Sequence, residues 1–186
     1  MKMENISAEK LRELIFTNDL GERVLDLSGK GLPKVPEAVT DLTELEELNL
    51  SGNYLKELPT GINKLKNLKW LRLDKNQLRE LPHSICEMSS LTRLYVNNNQ
   101  LFVLPSIIKH LKNLWILLLS DNQLTTLPDE IGELKELELL VVAGNPLTWE
   151  GMRKVVKLQN KMKFYPDVRG KDVKCPLFVF YIMSCE

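Results

Sequence analysis

Cysteine and histidine are nearly missing from this chain: 186 residues contain three of the first and two of the second. Cys86, Cys175 and Cys185 form an odd set without paired spacing, which excludes a disulfide framework and a cysteine-rich zinc site. His83-x-x-Cys86 is half a metal site at best, because a structural zinc needs four ligands and nothing nearby supplies the others. A Ser/His/Asp or Cys/His catalytic set lacks candidates for the same reason. The nine glycines are scattered at turns, so no glycine loop cradles a phosphate. Charge of either sign is also not in excess, with 25 Lys/Arg against 25 Asp/Glu. No apolar run is long enough to cross a bilayer, the longest being 176–183. Met1–Lys10 is polar and charged, so no secretory signal is expected, and Asn5-Ile6-Ser7 is then an idle sequon. No catalysis, cofactor or metal is expected, in a reducing, cytoplasmic compartment.

Leucine fills what those absences leave. Leu45, Leu68, Leu91, Leu114 and Leu137 stand 23 residues apart without a slip. Each opens Leu-x-x-Leu-x-Leu/Val-x-x-Asn-x-Leu, and four copies continue x-x-Leu-Pro-x-x-Ile-x-x-Leu/Met. A degenerate first copy spans 22–44, with Leu25, Leu27, Leu32 and Leu42 in register and Val35-Pro36 in place of Leu-Pro. A chain repeating at this period is a stack of similar coils. Leu48-Asn49-Leu50 alternates apolar and polar, the pattern of a short strand buried on one face. Leu55, Leu58, Ile62 and Leu65 complete the inward side. No coil can bury that side alone, so each is covered by its neighbours.

Asn53, Asn76, Asn99, Asn122 and Asn145 recur after each strand. An amide has both a donor and an acceptor, so these residues are expected to satisfy backbone groups of their own and adjacent coils. Lys30 takes this place in the first copy, which predicts a wetter edge there. Pro59, Pro82, Pro105 and Pro128 fall outside the strands, where a missing N–H breaks no ladder bond.

These motifs resemble the leucine-rich repeat family, and the Leu-Pro-x-x-Ile-x-x-Leu half is similar to its 23-residue Ras-suppressor-type and plant intracellular Ras-group subclass, which bacteria also use. The resemblance covers about residues 22–150. It implies an α/β fold: a right-handed solenoid with a parallel β-sheet on the concave face, an irregular or 3-10 convex side and helical caps. Extracellular members generally close their ends with cysteine clusters, which this chain lacks. Some bacterial members carry a ubiquitin-ligase domain after the repeats, for which too little chain follows Leu147.

Three parts are expected: a helical cap at 1–21, about six repeats at 22–147, and a C-terminal cap with an apolar tail at 148–186. At the front, Ser7 would cap a helix running to Asn18, with Leu11, Leu14 and Ile15 on one face and Gly21 as the stop. At the rear, Gly144-Asn145-Pro146-Leu147 breaks the pattern. Thr148 then opens a helix to about Lys161, with Met152, Val155, Val156 and Met162 at helical spacing. Phe164-Tyr165-Pro166 suggests a short extended segment and 167–174 a loop. The tail Leu177–Met183 is expected to pack on the last coil or an added strand, to cover the concave face, or to meet a partner or membrane.

Charge is distributed unevenly: residues 1–149 hold 17 Lys/Arg against 21 Asp/Glu, and residues 150–174 hold 8 against 3. The basic stretch reads first as a solvated helix face. With the apolar tail it also frames an alternative, a membrane-peripheral protein docked on anionic lipid. Nucleic acid is not an expected partner, since no basic stripe runs along the repeats.

Side chains alternating with the strand leucines face outward on the concave side. They form three columns: Val24, Glu47, Trp70, Arg93, Ile116, Leu139; Asp26, Asn49, Arg72, Tyr95, Leu118, Val141; and Ser28, Ser51, Asp74, Asn97, Ser120, Ala143. The front is polar and acidic, the middle gathers Trp70, Arg72, Arg93 and Tyr95, and the rear is aliphatic. Trp, Tyr and Arg dominate interface hot spots. The expected function is therefore non-catalytic protein binding by a monomer, and the family resemblance implies a signalling scaffold or adaptor. Trp70 and Tyr95 would be anchors, and Arg72 and Arg93 would meet carboxylates. Glu47 and Asp74 would set polarity at the rim, beside Asn49 and Asn97, with Ile116 and Leu118 as apolar ground. The family resemblance points to signalling proteins, small GTPases among them. A bacterial effector delivered into a host would use the same surface.

Overall fold

The computed structural model describes residues 6–159. Seven strands form one sheet in chain order: β1 (Phe16–Thr17), β2 (Arg23–Asp26), β3 (Glu47–Asn49), β4 (Trp70–Arg72), β5 (Arg93–Tyr95), β6 (Ile116–Leu118) and β7 (Leu139–Val141). From β2 to β7 every pairing is parallel. The register steps by one period at each coil: Glu47 pairs with Trp70, Trp70 with Arg93, and Arg93 with Ile116.

Each parallel strand, β2 to β7, is three or four residues long because only its central leucine and the leucines flanking it must be covered. Leu48, Leu71, Leu94 and Leu117 are fully buried, as are Leu45, Leu68, Leu91 and Leu114 one turn before them. Return segments carry 3-10 turns at Glu37–Asp41, Thr60–Lys64, His83–Glu87, Ser106–His110 and Asp129–Glu133. A proline precedes each turn and its carbonyl accepts the first 3-10 bond, as in Ile62 N to Pro59 O at 3.1 Å. Proline fits there because its fixed φ suits the entry and its missing N–H is not needed.

The asparagine ladder does what an amide in that position can do. Asn53 Nδ2 donates to Leu27 O of the preceding coil and Leu50 O of its own, both at 2.9 Å, while its Oδ1 accepts from Leu32 N at 3.0 Å. The same three contacts recur at Asn76, Asn99, Asn122 and Asn145. All five residues are buried, whereas Lys30 is exposed, so the first edge is indeed wetter.

The front end departs from the expected helix. α1 spans only Ala8–Arg12, capped by Ser7 Oγ accepting from Lys10 N at 3.4 Å. Phe16 and Thr17 instead pair antiparallel with Val24 and Arg23. Two causes end the helix early. Ile15-Phe16-Thr17 is a β-branched and aromatic run that favours extended backbone. Asn18 Oδ1 accepts from Leu20 N and Glu22 N at 3.0 and 2.9 Å, offering the chain a local turn. Gly21, with φ +78°, belongs to that hairpin and does not stop the helix. Leu11 is buried and Ile15 half-buried, but Leu14 is exposed. Arg12 ties α1 to the first coils through Glu44 at 2.9 Å and Asp41 O at 3.2 Å.

At the rear, α2 spans Trp149–Gln159, and Thr148 Oγ1 accepts from Gly151 N at 3.2 Å. Val155 is buried, Met152 half-buried and Val156 exposed. Lys154 reaches Leu127 O at 3.2 Å and Asp129 at 3.2 Å on the last full coil. Met162, Phe164-Tyr165-Pro166, Cys175, Cys185 and the tail Leu177–Met183 lie outside the described residues.

Candidate interaction surface

Parallel pairing in register makes residues 23 apart lateral neighbours, so the concave columns become contiguous rows of side chains. The middle of the face is an aromatic and guanidinium cluster. The rings of Trp70 and Tyr95 meet edge to face, with centroids 5.3 Å apart and planes at 72°. Arg72 Cζ and Arg93 Cζ each lie 5.0 Å from the Trp70 ring centroid. Arg93 also lies 5.6 Å from the ring of Trp115, so its guanidinium sits between two indoles. Such contacts contribute ~0.5–1 kcal/mol each at exposed sites and more where water is excluded.

The two arginines differ in their carboxylate partners. Arg72 Nη1 stands 3.8 Å from Glu47 Oε1. Arg93 has no salt bridge or side-chain hydrogen bond among the described residues. The indole N–H of Trp70 and Nε of Arg72 are buried without an acceptor among the described residues. The cluster therefore holds more donors than acceptors.

Glu47 corrects an expectation. It was assigned to an exposed rim, yet it is 7% exposed, with Arg72 reaching back over one coil toward it. Burial raises its carboxyl above the ordinary range, with Arg72 opposing that shift. Burial likewise raises the Tyr95 phenol. Asp74, also placed at the rim, is half-buried and bonded: Oδ1 accepts from Asn97 N at 3.0 Å and Nδ2 at 2.8 Å, and Asn97 Oδ1 accepts from Ser120 N at 2.8 Å. Asn49 is buried and accepts from Ser51 N at 3.1 Å. These polar side chains tie coil to coil because short strands leave backbone donors beyond their ends.

Two components escaped the sequence reading. Trp115 belongs to the register one residue earlier, Arg23, Glu46, Lys69, Thr92, Trp115, Glu138, which the same spacing identifies. Its Nε1 donates to Glu138 in the next coil. In that row Lys69 bridges Glu46 at 2.9 Å and Glu22 at 3.5 Å. The hydrogen bond from Lys69 holds the Glu46 carboxyl below its usual range, and Lys69 is raised in turn. Two of the front carboxylates thus share one lysine.

Toward the rear, Ile116, Leu118, Leu139 and Val141 are half-buried and face the same side as the cluster. Of the residues considered for chemistry, Cys86 is buried in the core and burial pushes its thiol up to about 11. His83 opens a 3-10 turn on the return side and His110 ends the next one, exposed. Among the described residues no three His, Cys, Asp or Glu converge as metal ligands, and no helix is long and apolar enough to cross a membrane.

A family model described as a leucine-rich repeat region matches residues 20–117, and another described as a leucine-rich repeat matches 113–134. No curated protein matches the chain. Among solved structures, a leucine-rich repeat protein of Leptospira interrogans is 33% identical, with 84% of this chain and 44% of that one covered and a TM-score of 0.59. An internalin of Listeria monocytogenes is 26% identical, with 70% and 37% covered and a TM-score of 0.59. The leucine-rich repeat ectodomain of the Arabidopsis thaliana plant membrane receptor kinase GASSHO1, solved with Casparian strip integrity factor 2, is 31% identical, with 65% and 15% covered and a TM-score of 0.56. The chain spans less than half the length of each of these three.

Proposed function

The chain belongs to the leucine-rich repeat family, and from that premise we propose that it is a non-catalytic recognition module whose concave face binds a partner protein. Leucine-rich repeat domains are generally protein-interaction modules. The observation that carries the reading is the preassembled cluster of Trp70, Tyr95, Arg72 and Arg93, with Trp115 closing it on one side. Hot spots concentrate in Trp, Tyr and Arg, which offer large contact area and polar edges at low entropic cost. Here the rings and guanidinia already order one another, so binding need not immobilise them. Glu47, Asn49, Asp74 and Asn97 support the cluster from beneath and beside it, and Ile116 and Leu118 extend it with apolar surface.

On this reading the cap residues 6–21 and 148–159 cover the two ends of the 22–147 stack. The module acts as a monomeric signalling scaffold or adaptor in a reducing cytoplasmic compartment, a role that the Ras-suppressor-type motif and the odd cysteine count favour. A signalling protein such as a small GTPase is a partner of the right kind on that analogy. The test is affinity capture from lysate with wild type and with a Trp70→Ala/Tyr95→Ala double variant of matched circular dichroism. The variant is expected to lose ~2 kcal/mol or more of partner affinity. Equal capture by both proteins would remove the concave face from the function.

A further inference from the structure

We propose that the concave face takes a peptide segment in polyproline-II conformation running across the strands, with an Asp or Glu side chain on Arg93 and an aliphatic side chain three residues away over Leu118, Leu139 and Val141. This rests on the concave-face reading and specifies its ligand.

Charge selects the acidic residue. Lys69 already holds Glu46 and Glu22, Arg72 faces Glu47 at 3.8 Å, and Asp74 accepts from Asn97. Arg93, the other cation of the cluster, has no carboxylate within salt-bridge distance among the described residues and acts on Glu47 only at longer range. With Trp70 and Trp115 against its guanidinium, its N–H edge remains for an acceptor, and a planar fork suits a carboxylate. A basic segment would find no free carboxylate in this cluster.

The row beyond Arg93 selects the second residue. On β6 and β7 both concave columns are aliphatic, Ile116 and Leu139 in one, Leu118 and Val141 in the other. A charged or polar side chain there would lose water without gaining a hydrogen bond. The separation follows from sheet geometry. β5 and β7 are two strand spacings apart, about 10 Å, a span that a polyproline-II chain, with three residues per turn and ~3.1 Å per residue, covers in three residues while returning the side chain to the same face. An acidic residue with a Leu, Ile or Val three positions away, in either chain direction, therefore matches both features at once.

The test is selection of a random displayed peptide library on the full chain, with counter-selection on the Trp70→Ala/Tyr95→Ala variant. Enriched peptides should carry the acid–aliphatic pair at that spacing. Their affinity should fall about 10-fold or more on Arg93→Gln, less on Arg93→Lys, and should weaken with salt only while the acidic residue is present. Peptides that require Trp70 and Tyr95 but lack the acid, or bind Arg93→Gln unchanged, overturn this inference and leave the concave reading standing. Peptides enriched equally on the double variant overturn both.

Discussion

Replacing Asn76 by alanine tests the stack that brings Trp70, Arg93 and Trp115 together. Its amide makes three contacts inside the coil interface: Oδ1 accepts from Leu55 N at 3.0 Å, and Nδ2 donates to Leu50 O and Leu73 O at 2.9 and 3.0 Å. The carbonyls are not orphaned by the change, because Asn53 also donates to Leu50 O and Asn99 to Leu73 O. Leu55 N–H has no other acceptor among the described residues, and it is buried. One orphaned donor costs ~1–3 kcal/mol, and two weakened carbonyls and a small void add to that, so a loss of about 2–4 kcal/mol is expected. Asn67→Ala is the matched control, since that amide also donates to a carbonyl, Thr43 O at 2.8 Å, but at an exposed site. There the loss should stay below ~1 kcal/mol. Asn76→Asp keeps the acceptor for Leu55 N–H but turns a carboxylate oxygen toward two carbonyls, so it should be worse near neutral pH than in acid. Urea titrations followed by tryptophan fluorescence read all three as midpoint shifts at constant slope. Equal midpoints for Asn76→Ala and Asn67→Ala would refute the ladder as a structural fastener.

Three other substitutions probe the turns and the buried carboxylate. Gly144 has φ +68°, and a Cβ there would lie 2.2 Å from Asp121 Oδ1 and 3.1 Å from Asp121 N, so Gly144→Ala should lower stability by ~1–3 kcal/mol in the same titration. Lys75 occupies the equivalent turn with φ +55°, so Lys75→Gly should fall within ~1 kcal/mol of wild type, relieved strain offsetting added freedom of the unfolded chain. Burial holds the Glu47 carboxyl above its ordinary value, so the folded state binds that proton more tightly than the unfolded one. The proton-linked stability is complete below the ordinary carboxyl range and is lost as pH rises through the raised value. Glu47→Gln should therefore match or exceed wild type at neutral pH, with the difference closing on acidification; a gap that widens in acid would contradict the assignment.

The repeat was legible because its cause is arithmetic: leucine every 23 residues, asparagine after every strand and proline before every turn define each coil independently. The concave columns followed from the same count, and the contact between Trp70 and Arg93 is where that count places it. The front helix was misjudged because apolar spacing alone does not separate Leu11-Leu14-Ile15 from a helix that ends early; the turn chemistry of Asn18 and the β-branched run decided it. Glu47 was misjudged because charge in a column says nothing about the length of its neighbour, and Arg72 reaches back over it. Trp115 is not legible from the alternation with the leucines, because the residue just ahead of the strand also reaches the rim.

The register has one more consequence. The concave columns carry different side chains from coil to coil, while the core positions repeat leucine, isoleucine and asparagine with few exceptions. Loss or duplication of a whole 23-residue module would leave the interior with equivalent neighbours and still foldable. It would, however, bring new side chains together outside: excising 68–90 would set Glu47 directly beside Arg93 and delete the indole between them. Such a lineage can thus exchange one ligand preference for another in a single genetic event, without passing through a misfolded ancestor.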